Sequence, residues 1–465
     1  MTDVDHLTLS ERHDLGRRVR KRTPRDVFGT WKPGALRPDP IDLLLEQDEA
    51  REPDLVPVRH GRMMVSPFTF FRGGAKIMAS DLSAFPSAGL NVQLCGDAHL
   101  SNFGVFASPE RRLLFDLNDF DETLPGPFEY DVARLAASFV VAARDNGFGS
   151  RQSRRVTSTA VKAYHKAMAQ FAEMRTLDVW YSHLDANELV ERGLRSAKGR
   201  RRKEAEKGLD KAKSKTSLQA LSKLTELVEG QHRIISDPPV LVPGRHLVEV
   251  AGISAAHIGD LLHAQLRAYR ATLPDDRRSL LERFELIDFA RKVVGVGSVG
   301  TRCWIALLQG RDGEDPLFLQ VKEATKSVLE DHLPKSQYDE PGERVVRGQR
   351  LMQAASDIFL GWTRGVEADH YYYWRQLRDM KGSADIGNLD EASMNYYAGA
   401  CGWTLARAHA RSGDPVAIAS YLGKNDSFAR AMTDFSIRYA DQNERDYDEF
   451  TKAIASGRIE ATEGV

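Results

Sequence analysis

A run of carboxylates set in apolar sequence between Leu94 and Arg134 constrains this chain more than any other feature: LCGDAHLSNFG, then LLFDLNDFDE, then GPFEYDVAR. Asp97, His99, Asn102, Asp116, Asp119, Asp121 and Asp131 all fall in this one stretch, among residues that belong in a core. An isolated ionised carboxylate in such surroundings is unstable unless it is paired, hydrogen-bonded or bound to a cation. Several carboxylates that each follow a short apolar run suit a hard divalent ion, because Mg2+ takes oxygen ligands and shares them with phosphates. The competing structural reading is that aspartates near turns cap helices and satisfy loops.

A second block of chemistry lies late in the chain, FARKVVGVGSVGTRCWIALLQGRDGEDPLFLQVKEA. Gly295, Gly297 and Gly300 form G-x-G-x-x-G after an apolar strand, with Ser298 inside the loop. A dinucleotide-binding unit needs a long helix after the third glycine. TRCWIALLQG is instead short, β-branched and aromatic, and runs into the hairpin signal Arg311-Asp312-Gly313. A second strand, LFLQVK, ends in Lys322. Strand, glycine loop, strand, turn and strand with lysine is the order in which kinases cover and pair with nucleotide phosphates.

The early block fits the same chemistry. Asp97 and Asn102 stand five apart, the D-x-x-x-x-N spacing in which the Asp is the base and the Asn holds metal. Gly96, Asp97, His99 and Asn102 resemble the H-G-D-x-H-x-x-N loop of the aminoglycoside and choline kinase branch of the protein-kinase-like superfamily, with Cys95 in place of the first histidine. Tyr130-Asp131-Val132-Ala133 is similar to that branch's D-P-x-Y-D-L-A run. Counting back from it puts the metal aspartate at Asp119, with Asp116 open as the alternative. More specifically the chain resembles a bacterial family, DUF2252, grouped with the kinase-like folds, over roughly residues 55 to 450.

The resemblance implies an α+β fold with two kinase-like lobes, circularly permuted because the catalytic and metal motifs precede the glycine loop, with extra helices. It implies ATP and Mg2+ at a site in which Asp97 and Lys322 are catalytic and Asn102 and Asp119 bind metal. Gly295, Gly297, Ser298, Gly300 and Lys322 would hold the nucleotide, with Gln376 and Leu377 as the adenine hinge. His99, Asp116 and Asp121 remain open candidates. Glu343, with Glu340 behind it, is the nearest acidic partner for Lys322 on the helix of residues 343–356, where Arg347 occupies the position expected to face the lysine. Arg72 and Lys76 flank Gly73-Gly74 and form a candidate phosphate-facing turn.

At 465 residues two or three structural units are expected. The divisions are an N-terminal extension (1–58), a catalytic and metal lobe (59–290) with a helical insertion at about 185–245, a β-rich small lobe (291–380), and C-terminal helices completing the large lobe (381–465). A net charge of −1 argues against wholesale attraction to nucleic acid or membrane. The exception is residues 191–215, with eleven Lys/Arg against four Asp/Glu but no interleaved aromatics. Three scattered cysteines fit a reducing cytoplasm. No apolar run spans a bilayer and the first residues lack a signal-peptide core, so a cytoplasmic protein is expected.

The expected activity is phosphotransfer to an unidentified small-molecule or protein hydroxyl. The alternatives are a non-catalytic nucleotide-binding regulator and an AMP transferase. A metallophosphoesterase, suggested by Asp97-Ala98-His99, lacks a later G-N-H-[DE].

Overall fold

Alanines at positions 133, 136, 137, 142 and 143 let other elements approach the helix Phe128–Asp145 from every side, and it is buried almost throughout its length. Ser150–Glu173, Glu391–Ser412 and Ser427–Ala455 pack around it in the largest core. Glu391–Ser412 crosses Ser150–Glu173 so closely at Gly402 that a Cβ there would lie 2.2 Å from the Ala160 carbonyl oxygen. The computed structural model describes residues 6–194, 200–246, 255–366, 369–377 and 379–464. The protein is mixed α+β with several separate sheets.

Two small sheets grow from this helical body and aim the acidic run. Asn91–Leu94 pairs antiparallel with Leu124–Pro127, and Phe103–Ala107 forms a hairpin with Leu113–Leu117, joined by Leu184–Asp185. The loop carrying Asp97 leaves the first strand of one sheet, and the loop carrying Asp119 and Asp121 links Leu113–Leu117 to Leu124–Pro127. Both loops therefore emerge side by side.

The basic half lies on a six-stranded antiparallel sheet, in the order Gly361–Arg364, Tyr371–Gln376, Pro316–Ala324, Cys303–Gln309, Glu285–Lys292 and Leu241–Pro243. Strand alternation sorts its side chains. Ala306, Leu308, Leu317, Leu319 and Val321 face Tyr269 and Trp374, while Ile305, Leu307 and Phe318 face the helix Ser217–Leu224. Lys322 is two register positions from Gln320, on the face of Phe318, and its cross-strand partners are Cys303 and Tyr373.

The sheet starts earlier in the chain than a small lobe at 291–380. Leu241–Pro243 belongs to SDPPVLVPGR, whose prolines predict a linker, yet it forms the outer strand, where a missing N–H costs no ladder bond. The glycine-rich stretch at 66–82 is two helices, Pro67–Gly73 and Ala75–Ser83, meeting at Gly74. The described part of the N-terminal extension, residues 6–58, joins the core, because Phe28 is fully buried against Phe85 and Phe428. In the basic run, residues 195–199 and the side chains of 194 and 200–206 lie outside the described residues. Among the described residues no helix is long and apolar enough to cross a membrane.

Candidate functional site

A cavity of about 290 Å3 lies where the sheet meets the two acidic loops. Asp97, His99, Asn102, Asp119, Asp121 and Glu122 line one wall, the glycine loop (Gly295, Val296, Gly297, Ser298 and Thr301) and Glu323–Val328 the other, with Arg51, Arg72 and Lys76 at the side.

The loop of Asp97 is held by its backbone. Gly96 turns at φ +85°, and a Cβ there would lie 2.1 Å from the Glu122 carbonyl oxygen, so the two acidic loops touch because the residue is glycine. Asp131 accepts hydrogen bonds from Cys95 N (2.6 Å) and Gly96 N (2.9 Å), and His409 Nε2 lies 3.2 Å from it. The Cys95 thiol donates to the Asp119 carbonyl oxygen at 3.1 Å. Asp131 therefore ties its helix to this loop rather than capping the helix.

Asp97 itself accepts from Arg134 Nε at 2.8 Å, while Arg134 also donates to the Phe71 carbonyl oxygen. Asn102 Nδ2 donates to the Asp97 carbonyl oxygen at 2.7 Å, which commits its nitrogen and leaves Oδ1 as its acceptor. His99 is buried, with Nε2 3.6 Å from Asp97 Oδ2 and Nδ1 enclosed without a partner. Burial, then the charges of Arg72 and Arg134, push its pKa well below the ordinary histidine value, so the ring is neutral at pH 7.

Lys322 Nζ lies 2.5 Å from Asp121 Oδ2 and 3.5 Å from Asp119 Oδ1. The Tyr373 hydroxyl donates to the other Asp121 oxygen at 2.6 Å, and the lysine sits over the Tyr373 ring. Burial opposes the lysine charge, but Asp119 and Asp121 outweigh it and raise its pKa well above the ordinary value. Burial and then repulsion from Asp121 raise Asp119. Asp121 ends lower than usual: burial would raise it, and the charge and hydrogen bond of Lys322, with that of Tyr373, prevail.

This replaces the expected partner of the lysine. Glu343 pairs with Arg347 at 3.1 Å on the outer side of helix Pro341–Met352. The same helix turns Arg344 inward, where it donates to the carbonyl oxygens of Asp121 (2.7 Å), Thr123 and Thr325. The helix thus supports the acidic loop and leaves Asp121 to orient the lysine.

Two further expectations are corrected. Asp116 is sealed in an ion pair with Arg407 and accepts from Ala354 N at 2.8 Å, so it holds the helical core together and does not line the cavity. Gln376 and Leu377 do not line it either. The Gln376 N–H donates to Asp357 and the Leu377 N–H to the Phe318 carbonyl oxygen, so neither amide is available to a ligand.

The glycine loop is fastened by residues that the sequence did not single out. Arg51 donates to the Val299 carbonyl oxygen, Glu52 N to Gly300 O at 2.8 Å, and Arg62 to Gly295 O at 2.6 Å. Arg134, three residues after Asp131 on its helix, had a signal in its spacing; Tyr373 had none without the strand register.

Among the described residues no three His, Cys, Asp or Glu side chains are gathered as a metal cluster. Asn102 and Asp119, which both line the cavity, would offer Mg2+ oxygen ligands, and that ion takes few from protein when phosphates complete its shell.

The family described as "Uncharacterized protein conserved in bacteria (DUF2252)" matches residues 51–453. The chain belongs to DUF2252. No curated protein and no solved structure matches it. The DUF2252 region contains every cavity residue named above, from Arg51 to Val328.

Proposed function

We propose that this protein is an ATP- and Mg2+-dependent phosphotransferase with a kinase-like, circularly permuted arrangement, acting on a hydroxyl group. One observation carries the reading: Lys322 meets Asp119 and Asp121, two residues lining a cavity that Asp97, Asn102 and the glycine loop also line, although some two hundred residues separate the two halves. The inverted motif order fits a permuted chain, which a fold tolerates when its former ends lie close at the surface.

In this reading the amides of Gly295–Gly300 cover the phosphates and Lys322 pairs with them. Asn102 and Asp119 would hold the magnesium ion, which neutralises phosphate charge when bound. Asp97, oriented by Arg134, accepts the proton of the acceptor hydroxyl. The remaining work is positioning and charge compensation in a site with restricted water.

A second reading, a nucleotide-binding regulator without turnover, draws on the Lys322 pairing, which occupies Asp119. Titration with Mg2+ and ATP, together with steady-state ATP turnover, separates the two. The phosphotransferase reading expects metal-dependent ATP consumption that falls by about 10²–10⁴ in Asp97→Asn. Binding without turnover under any divalent metal favours the regulator, and no nucleotide binding refutes both.

A further inference from the structure

The cations around the cavity differ in what they already hold. Lys322 is paired with Asp121, and Arg134 with Asp97. Lys76 bridges Glu46 (2.7 Å) and Asp331 (3.3 Å). Arg51 is bonded to the glycine loop and lies 3.5 Å from Asp48. Lys326 is exposed to solvent. Arg72 stands apart: among the described residues its guanidinium has no hydrogen bond and no ion pair, and its Nε is enclosed without a partner.

Its position is also distinctive. The Arg72 backbone touches the tip of the glycine loop, where a Cβ on Gly297 would lie 3.2 Å from the Arg72 carbonyl oxygen. Arg72 lines the cavity together with Asp97, His99 and Asp119 on one side and Gly297 on the other, in the corridor between the loop and the acidic wall. An enclosed guanidinium with unmet donors is stabilised by a planar or tetrahedral oxyanion, which two parallel N–H groups can hold at once. The nearby carboxylates are largely answered already: Asp97 by Arg134, Asp121 by Lys322, and Glu323 by Arg302 and His370.

We infer that Arg72 is an anion-binding residue, receiving the phosphoryl oxygens of a ligand in the corridor between Gly297 and Asp97. The anion is either the terminal phosphate of the nucleotide or a phosphate on the acceptor. Both assignments rest on the phosphotransferase reading; the anion site itself stands on the cavity.

The test compares the full-length parent with Arg72→Gln and Arg72→Lys by calorimetric titration with pyrophosphate, Mg·ADP and Mg·AMP-PNP, with melting curves alongside. Arg72→Gln is expected to weaken pyrophosphate at least tenfold, with Arg72→Lys in between. If the terminal phosphate is the ligand, Mg·AMP-PNP weakens at least tenfold and Mg·ADP less than threefold. If the acceptor's phosphate is, both nucleotides bind as in the parent, and pyrophosphate binding to the AMP-PNP-saturated protein is lost. A parent that binds pyrophosphate through Arg72 but no nucleotide supports the anion site and refutes the phosphotransferase. Equal affinities in parent and Arg72→Gln for every probe, or a parent that binds no anion, overturn the proposal. If Arg72→Gln melts early, Arg72→Lys, which keeps the positive charge, decides by the same comparison.

Discussion

Asp116 and Asp119 lie three residues apart in one apolar run, and each meets a basic residue from far along the chain. The Asp116–Arg407 pair is sealed, with both side chains about 1% exposed. In the Asp119–Lys322 pair the lysine is 3% exposed and the aspartate 33%, opening onto the cavity. Asp116 also accepts from two backbone N–H groups, of Leu117 and Ala354, whereas Asp119 shares its lysine with a second carboxylate. The sealed pair is complete within the protein. The open pair retains capacity for a ligand, and that difference separates a structural ion pair from a candidate site.

The largest expected effect tests the sealed side. Asp116→Ala leaves Arg407 charged and buried without its partner, a change that costs about 3–5 kcal/mol. Chemical denaturation should show a loss of that size; a loss below about 1 kcal/mol would put Asp116 in contact with water and erase the contrast. On the open side, Asp121→Asn keeps the shape but removes the charge that holds Lys322. Turnover is expected to fall about tenfold, equivalent to about 1.4 kcal/mol, with a smaller loss of melting temperature than in Asp116→Ala because Asp119 still faces the lysine. If the melting temperature collapses instead, the open pair is structural too.

The smallest effect concerns pH. Burial pushes Glu129, fully enclosed, up to about 7, against stabilising hydrogen bonds led by that from Ala88 N. A carboxyl whose pKa is raised on folding adds stability that is complete below its unfolded value and is lost as pH rises through the folded one. Melting temperature should therefore decline between pH 5 and 8, and Glu129→Gln should flatten part of that decline. Glu122, at the cavity wall, is also raised to about 7 and should keep the remainder of the slope. A parent whose melting temperature rises over that range would show that the buried group is ionised and compensated.

The elements around the site were legible because they are local. Asn91–Leu94, the hairpin after it, the glycine loop between Glu285–Lys292 and Cys303–Gln309, and the strand ending near Lys322 all follow from alternation and turn residues. Asp116 and Asp119 could not be separated in the same way, because what distinguishes them is Arg407, nearly three hundred residues away. The seat of Lys322 on Asp121 and Tyr373 depends on strand register and on how the sheet docks, neither of which is written in composition. Gln376 and Leu377 sit at a strand end, as a hinge would, but Asp357 and Phe318 take their amides. The strand Leu241–Pro243 was hidden by its own prolines, which only its outer place in the sheet makes tolerable.

The central claim is that the early carboxylates and the late lysine close around one triphosphate. A crystal structure of the full chain with Mg2+ and AMP-PNP tests this most directly. The account predicts phosphates under Gly295–Gly300 and against Lys322, with a metal ion between Asn102 and Asp119 and the terminal phosphate facing Asp97. A nucleotide bound elsewhere, with Lys322 still on Asp121 and the cavity filled only by water, would contradict it.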